Sequence, residues 1–340
     1  IEYAGNDFID AGKDNDIVNA QEGDDIILGN DGDDILFGGD GNDYIHGGLG
    51  ADKIDAGDGD DYIVLDSMDL NQNLLDVEIV NGGAGFDTAI VQDDQDISFD
   101  MGITSIENFT AGDGNDTIIG GNNSEIARGG GGSDSFYMQG GDDIIYIDAD
   151  DIVANAGNFI DMGSGYDKIY IEDSTGVNLD VADTNAEEII SGSGDDILKN
   201  TSTQKFSIFG MDGNDTIFAT NTQEVLDGGN GSDTIDYSNS NYGININLTK
   251  NTVSGGYANG DTISNFENVI GTDKDDIVVG NFSDNFFSLG AGNNTVNGIG
   301  GINTVHFEGN FSDYYNEIGG KAIETDFNKS ATIYTSTGIN

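Results

Sequence analysis

From Glu2 to Val64 the chain repeats itself every nine residues: EYAGNDFID, AGKDNDIVN, AQEGDDIIL, GNDGDDILF, GGDGNDYIH, GGLGADKID, AGDGDDYIV. Column six is Asp throughout (Asp7, Asp16, Asp25, Asp34, Asp43, Asp52, Asp61), and column eight is always aliphatic, from Ile9 to Ile63. Column four is Gly except at Asp14. A period this short and this strict restricts the chain to a repeat architecture, in which identical small units stack.

The columns divide each unit into a turn and a strand. Columns one to six are rich in Gly, Asn and Asp, which accept tight and left-handed backbone. Columns seven to nine centre on an aliphatic residue and predict a strand of about three residues. Such a strand buries no core alone, so units must stack, two of them to each coil. Stacking sets residue i over i+18, roughly 4.8 Å away. Asp25 then lies over Asp43 and Asp34 over Asp52, and two such ladders of carboxylates repel unless a counter-ion intervenes. Ca²⁺ tolerates irregular shells of carboxylates and turn carbonyls, whereas Mg²⁺ demands stricter octahedra, so Ca²⁺ is the expected ion.

The pattern resembles G-G-x-G-x-D-x-U-x, the calcium-binding nonapeptide of the repeats-in-toxin (RTX) family. GGDGNDYIH and GGLGADKID fit it in every fixed column. The resemblance implies an all-β fold, a right-handed parallel β-roll or β-solenoid with two nonapeptides per coil and calcium in its Gly/Asp-rich turns. It also implies a ligand set: carbonyls of columns two and four with the Asp of one loop, and columns one, three and six of the loop one coil further on. Carried onto this chain, Gln21, Gly23 and Asp25 face Gly38, Asp40 and Asp43. Asn30, Gly32 and Asp34 face Gly47, Leu49 and Asp52, and Gly39, Gly41 and Asp43 face Ala56, Asp58 and Asp61. Asp7 and Asp16 open the two ladders.

Composition agrees. There are 64 acidic residues against 10 basic ones, a net charge of −54. That surface repels nucleic acid and anionic membrane. Acid placed every ninth residue between aliphatics argues against disorder, which has no such register. Pro and Cys are absent; missing Pro suits a chain whose N–H groups mostly join ladders, and missing Cys excludes disulfide and thiol chemistry. No apolar run approaches the roughly 20 residues of a membrane helix, and a start at Ile1 without a signal peptide suggests a processed product or a fragment.

Residues 1–64 are thus one regular roll. Residues 65–81 lose the glycine turns and read as an insert or irregular coil, after which Asp87 falls off the nine-fold phase that Asp61 closes. Behind it a longer period appears: Glu107, Glu187 and Glu267 are evenly spaced, and each precedes an Asp (Asp116, Asp196, Asp276) by nine positions. This predicts solenoid modules at 82–161, 162–227 and 228–306, the last lengthened by an insertion around TKNTVSGGYANGD. Within the modules the spacing predicts metal on one edge only, Asp116 with Asp134 and Asp215 with Asp233. Family mapping adds the carbonyls of Gly112 and Gly114 opposite Gly129 and Gly131, and of Met211 and Gly213 opposite Gly228 and Asn230. Column six then turns to Asn285, Asn294 and Asn303, so 280–306 should stack through Asn ladders with little or no metal. Residues 307–340 read as a C-terminal cap or tail, with ATIYTSTG near its end.

No catalytic motif stands out. His46 and His306 both fall in column nine, in the first and last arrays of the chain, and there is no nucleophile elbow, zinc-protease helix or phosphate loop. Tyr3, Tyr44, Tyr62, Tyr137, Tyr146 and Tyr170 would suit a polysaccharide-stacking face, although half-exposed strand positions explain them as well. The expectation is a secreted, calcium-binding, non-catalytic structural protein of the cell surface (an S-layer, fibril or adhesin stalk) exported by a type I route. It would fold on meeting extracellular Ca²⁺ and could assemble end to end through open strand edges. The alternative is the calcium-binding and secretion region of a larger toxin or hydrolase.

Overall fold

A computed structural model of the chain describes residues 5–70, 80–152 and 159–307. It is a parallel β-solenoid with coils of about 18 residues. The chain divides into two compact units, Ile1–Tyr170 with Thr184–Ala186, and Ile171–Asp183 with Glu187–Asn340. Tyr3 and the tail from 308 onwards lie outside the described residues.

In the first unit the nine-residue repeats give β1 (Phe8–Lys13), β2 (Ile17–Glu22), β3 (Ile26–Asp31), β4 (Ile35–Asp40), β5 (Tyr44–Leu49), β6 (Lys53–Asp58) and β7 (Tyr62–Leu65). Odd strands pair with odd and even with even, always parallel and one coil apart, as Phe8↔Ile26 and Ile17↔Ile35 show. β1 to β6 are six residues long rather than the expected three. The extra length comes from the turn columns, which keep pairing past the aliphatic centre: Gln21↔Gly39 and Asn30↔Gly48 are in register. Column eight forms the core, with Ile27, Leu36, Ile45 and Ile63 all fully buried. Burying one such side chain stabilises the fold by about 1.5–3 kcal/mol, and a coil supplies two.

The insert does not throw the lattice out of phase. Strand β8 (Val80–Ala84) pairs Val80 with Ile54, and β9 (Thr88–Val91) pairs Thr88 with Tyr62. This coil is simply longer than the regular ones, so Asp87 returns to the ladder above Asp61. Part of the surplus forms a single helical turn, α1 (Ser67–Leu70). Beyond β9 the strands shorten to between two and four residues, close to the expected three. Asn108–Thr110, Ile126–Arg128 and Ile144–Ile147 extend the odd sheet. Across the interior a separate sheet runs through Ser98–Asp100, Thr117–Ile119, Ser135–Tyr137 and Ile160–Asp161. Phe99 and Phe109 close the space between them, ring on ring at 4.0 Å.

The second unit repeats the plan. One sheet holds Glu188–Ile190, Ser207–Phe209, Val225–Asp227 and Thr262–Ser264; another runs from Asn178–Asp180 to Thr304–Phe307. The extra residues near 250 form a hairpin, Asn245–Asn247 antiparallel to Thr252–Ser254. It is the one antiparallel pair among the described strands.

Candidate metal centre in the turns

Each ladder carboxylate holds its place through one bond. The N–H of Asp25 donates to Oδ1 of Asp43 at 2.8 Å, Asp34 to Asp52 at 2.7 Å and Asp43 to Asp61 at 2.8 Å. Asp7 and Asp16 open the series by donating to Asp25 and Asp34, both at 2.7 Å. The same link joins Asp116 to Asp134 and Asp215 to Asp233, each at 2.8 Å. Oδ1 is thereby satisfied by backbone.

Oδ2 is not. It is buried and lacks a hydrogen-bond partner in Asp16, Asp25, Asp34, Asp43, Asp52, Asp61, Asp87, Asp116, Asp134, Asp143, Asp215 and Asp233, and so is Oε2 of Glu125. A buried carboxylate oxygen without a donor is costly, and native folds supply it with hydrogen or metal. Burial, reinforced by neighbouring carboxylates, pushes Asp43 up to about 6, Asp61 and Asp215 to about 7 and Asp134 to about 8. These acids are held where their charge is unwelcome unless a cation joins them.

Main-chain oxygens surround the orphaned atoms. A methyl group added at Gly38, in column one, would run into Asp43 Oδ2 and the Ala56 carbonyl; glycine is required by close approach. Gly39, in column two, has φ +127° and sits against the Gln21 carbonyl. Gln21, Asn30 and Met211 hold the same left-handed backbone at column two with side chains, at φ +86°, +76° and +67°.

The loops named from the repeat are brought together pairwise. Gly23 N–H donates to Asp40 O at 2.7 Å, Gly32 to Leu49 O at 2.9 Å and Gly41 to Asp58 O at 2.7 Å. A substituent on Gly29 would meet Gly47 O and Asp34 Oδ2, and one on Gly47 would meet Asp52 Oδ2. Further on, Gly131 N–H donates to Gly112 O at 3.2 Å, Gly132 packs on Gly114 O, and Gly129 packs on Asp134 Oδ2. Asn230 N–H donates to Met211 O at 2.6 Å and Gly213 N–H to Asn230 O at 3.0 Å, while Gly210 packs on Gly228 O and Asp215 Oδ2. Among the described residues no three acidic or imidazole side chains converge on one point. An ion here would therefore take carbonyls for much of its shell, which suits Ca²⁺ and no softer metal. The donor set is all oxygen and fits.

Other ladder positions have found protein donors instead. Asp69, on α1, takes the Asp52 N–H on Oδ1 and the Asp66 N–H on Oδ2, both at 2.8 Å. Asp151 does the same for Asp134 and Asp148, at 2.7 and 2.9 Å. Ser191 Oγ donates to Asp196 Oδ2, Thr272 N–H to Asp276 Oδ2 and Thr220 N–H to Glu224 Oε2. In the Asn array the amide performs this task. Asn303 Nδ2 donates to Gly298 O and Gly300 O at 3.2 and 2.8 Å, and Asn294 Nδ2 to Gly290 O at 3.1 Å. Here –NH₂ fills the turn that an ion would otherwise fill.

Sequence reasoning overlooked Asp69 and Asp151, since each reaches the ladder from a helical turn, one position short of the regular coil spacing. It also gave metal to one edge of the later coils only, yet Glu125 and Asp143 on the other edge carry orphaned oxygens too. Tyr44 and Tyr62 stack face to face at 5.7 Å and 7°, and Tyr146 and Tyr170 at 5.0 Å. Each pair engages one face of each ring, and Tyr44 and Tyr62 remain partly exposed. His46 lies in β5, and His306 Nδ1 faces the Ser288 hydroxyl at 3.2 Å. The cleft formed by Ser191, Gly192, Met211, Asp212, Gly229, Asn230 and Asn265, about 490 Å³, opens over these same turns.

Comparison with known families finds the RTX calcium-binding nonapeptide repeat (4 copies) matching residues 3–27, 28–63, 102–136, 207–236 and 269–305. No curated protein matches the chain.

Proposed function

The chain carries RTX calcium-binding nonapeptide repeats in a β-roll, and from that premise we propose that it is a secreted, non-catalytic structural protein of the cell surface whose folding is gated by extracellular Ca²⁺. The observation that supports this reading is the row of buried, partnerless carboxylate oxygens from Asp16 to Asp61, continued in the later coils. With no cation these groups repel across each coil, and a glycine-rich chain of net charge −54 gains much entropy on unfolding. Bound Ca²⁺ supplies positive charge between the turns, and its binding free energy adds to folding. The chain's own part is to aim Oδ2 and the turn carbonyls inward while Oδ1 locks the coil below.

Such a chain stays extended in a calcium-poor cytosol, passes a type I exporter unfolded, and stiffens outside. Among the described residues no helix is long and apolar enough to cross a membrane. Stacked parallel coils suit a lattice, fibril or stalk, with a surface polysaccharide or a second copy as neighbour. Far-UV circular dichroism of the stripped chain, repeated after Ca²⁺ addition, tests the gating: a β signal that is already complete without Ca²⁺ overturns it. The mass of the native polypeptide separates this role from a repeat region within a larger toxin or hydrolase. A value near 35.7 kDa supports the former, and a large additional domain the latter.

A further inference from the structure

Three turns depart from the nine-residue pattern in the same way. Each is shortened to Ser/Asn-x-Glu: Ser105-Ile106-Glu107, Asn185-Ala186-Glu187 and Asn265-Phe266-Glu267. The first residue is exposed and left-handed, at φ +52°, +59° and +56°, and the middle one is buried in the core. In the first and third turns the contacts of the Glu are resolved. Glu107 Oε2 accepts the Asp87 N–H at 2.9 Å, and Glu267 Oε2 accepts the Asp233 N–H at 3.2 Å, while Glu267 Oε1 takes a long bond of 3.4 Å from the Asn281 side-chain amide, which an ion would have to displace. The Oε2 bond is the one that Asp43 makes to Asp25 in a full-length turn. One extra methylene lets the side chain reach the ladder from a shorter loop.

The surrounding oxygens also correspond. In full-length turns a methyl group added at column one meets the loop's own Asp Oδ2 and the column-one carbonyl of the next coil: Asp43 and Ala56 at Gly38, Asp215 and Gly228 at Gly210. At Gly82 it meets Asp87 Oδ2 and the Ser105 carbonyl; at Gly228 it meets the Asp233 side chain and the Asn265 carbonyl. Ser105 and Asn265 thus place a carbonyl where column one does elsewhere. Asp87 and Asp233 are both 0% exposed, and the Oδ2 of each is buried with no partner.

We propose that Asp87 with Ser105 and Glu107, and Asp233 with Asn265 and Glu267, form a second class of Ca²⁺ site, in which a short Ser/Asn-x-Glu turn completes a glycine-rich half-site. The proposal rests on the calcium reading above and extends it to turns outside the nonapeptide pattern. All donors are oxygen, and the flexible, irregular shell suits Ca²⁺ over Mg²⁺. The short loop has no column-three residue, so these sites offer one carbonyl fewer and bind more weakly than a pair of full-length turns. Each lies within one of the two units.

The test counts Ca²⁺ bound to the full chain by equilibrium dialysis, for the parent, E107Q, E267Q and the double variant. Gln keeps an oxygen for the ladder N–H and removes the charge. Each single substitution should weaken one ion at least tenfold, lowering the count by about 0.4 at the parent's half-saturation for the weak class, and the double substitution by about 0.8. Unchanged counts in both single variants overturn the proposal while leaving the calcium reading intact; a parent that binds no Ca²⁺ overturns that reading itself. Should the variants fail to fold, the parent's titration decides. A weaker class of sites beyond the full-length turns supports the proposal, and a single affinity class overturns it.

Discussion

The backbone N–H of Asp25 donates to Oδ1 of Asp43, 2.8 Å away and one coil on, while Oδ2 of Asp43 is buried with nothing to accept from. One side chain therefore does two separable things. Oδ1 ties adjacent coils together, and Oδ2 waits for a positive partner. Repeated along the ladder, this makes coil stacking and cation binding a single event.

Removing that side chain should be felt in both roles. Asp43→Ala leaves the Asp25 N–H buried and unpaired, a cost of about 1–3 kcal/mol, and also weakens calcium binding in the turns on either side. Asp14 is an exposed column-four residue with left-handed backbone, φ +76°, so Asp14→Ala should cost about 1 kcal/mol of backbone strain and leave calcium binding nearly unchanged. Calcium titration with urea unfolding checks the contrast; equal losses of calcium binding in the two variants would count against the ladder.

Asp69 should behave differently, because both of its oxygens already hold backbone N–H groups, those of Asp52 and Asp66. Asp69→Ala strands two donors, at about 1–3 kcal/mol for each one that stays dry. The loss should be the same in saturating Ca²⁺ and in chelator. A deficit that calcium repairs would show that Asp69 belongs with the ion-binding acids.

The contrast between Asp43 and Asp69 also marks how far the primary structure can be read. Asp43 was legible because a short period ties a column to a position in space: knowing that i stacks on i+18 places its carboxylate against Asp25. The core was legible for the same reason, Ile27 and Ile45 sharing column eight. Asp69 was not, since α1 rather than the repeat carries it to the ladder. Nor was the saving role of Ser191 or Thr272, whose donors matter only once the turn has brought them to Asp196 and Asp276. Strand length was underestimated because glycine columns, poor strand formers by propensity, pair when a neighbouring coil supplies the partner, as in Gln21↔Gly39.

Acid should substitute for calcium. Burial holds Asp43 and Asp116 near 6, Asp61 and Asp215 near 7 and Asp134 near 8. An unfolded Asp titrates near 3.9, so between roughly pH 4 and these raised values the folded chain binds more protons than the unfolded one. Stability without metal is then greatest at the acid end and falls as pH rises through 6 to 8. Urea unfolding of the metal-stripped chain should give a higher midpoint at pH 5 than at pH 8. In saturating Ca²⁺, which needs the deprotonated acids, the order should reverse or flatten. A stripped chain more stable at pH 8 would contradict the assignment of these buried carboxylates.

The Asn array offers the converse experiment. Asn303 accepts the Asn285 N–H on Oδ1 at 3.1 Å and gives its amide hydrogens to Gly298 O and Gly300 O. The turn is closed by the protein itself and has no need of an ion. Asn303→Asp keeps the accepting oxygen and nearly the same volume, but replaces the donating –NH₂ with an oxygen aimed at two carbonyls. Without calcium this should cost roughly 1–3 kcal/mol, the usual penalty for a buried polar group stripped of its partner. With calcium the same oxygen joins the carbonyls around a new site, and the loss should be recovered. Thermal unfolding in chelator and in millimolar Ca²⁺ gives the comparison: parent and variant should differ in the first and converge in the second. If the variant remained equally impaired in both, the amide would be a packing requirement and not the stand-in for an ion that its bonds to Gly298 and Gly300 describe.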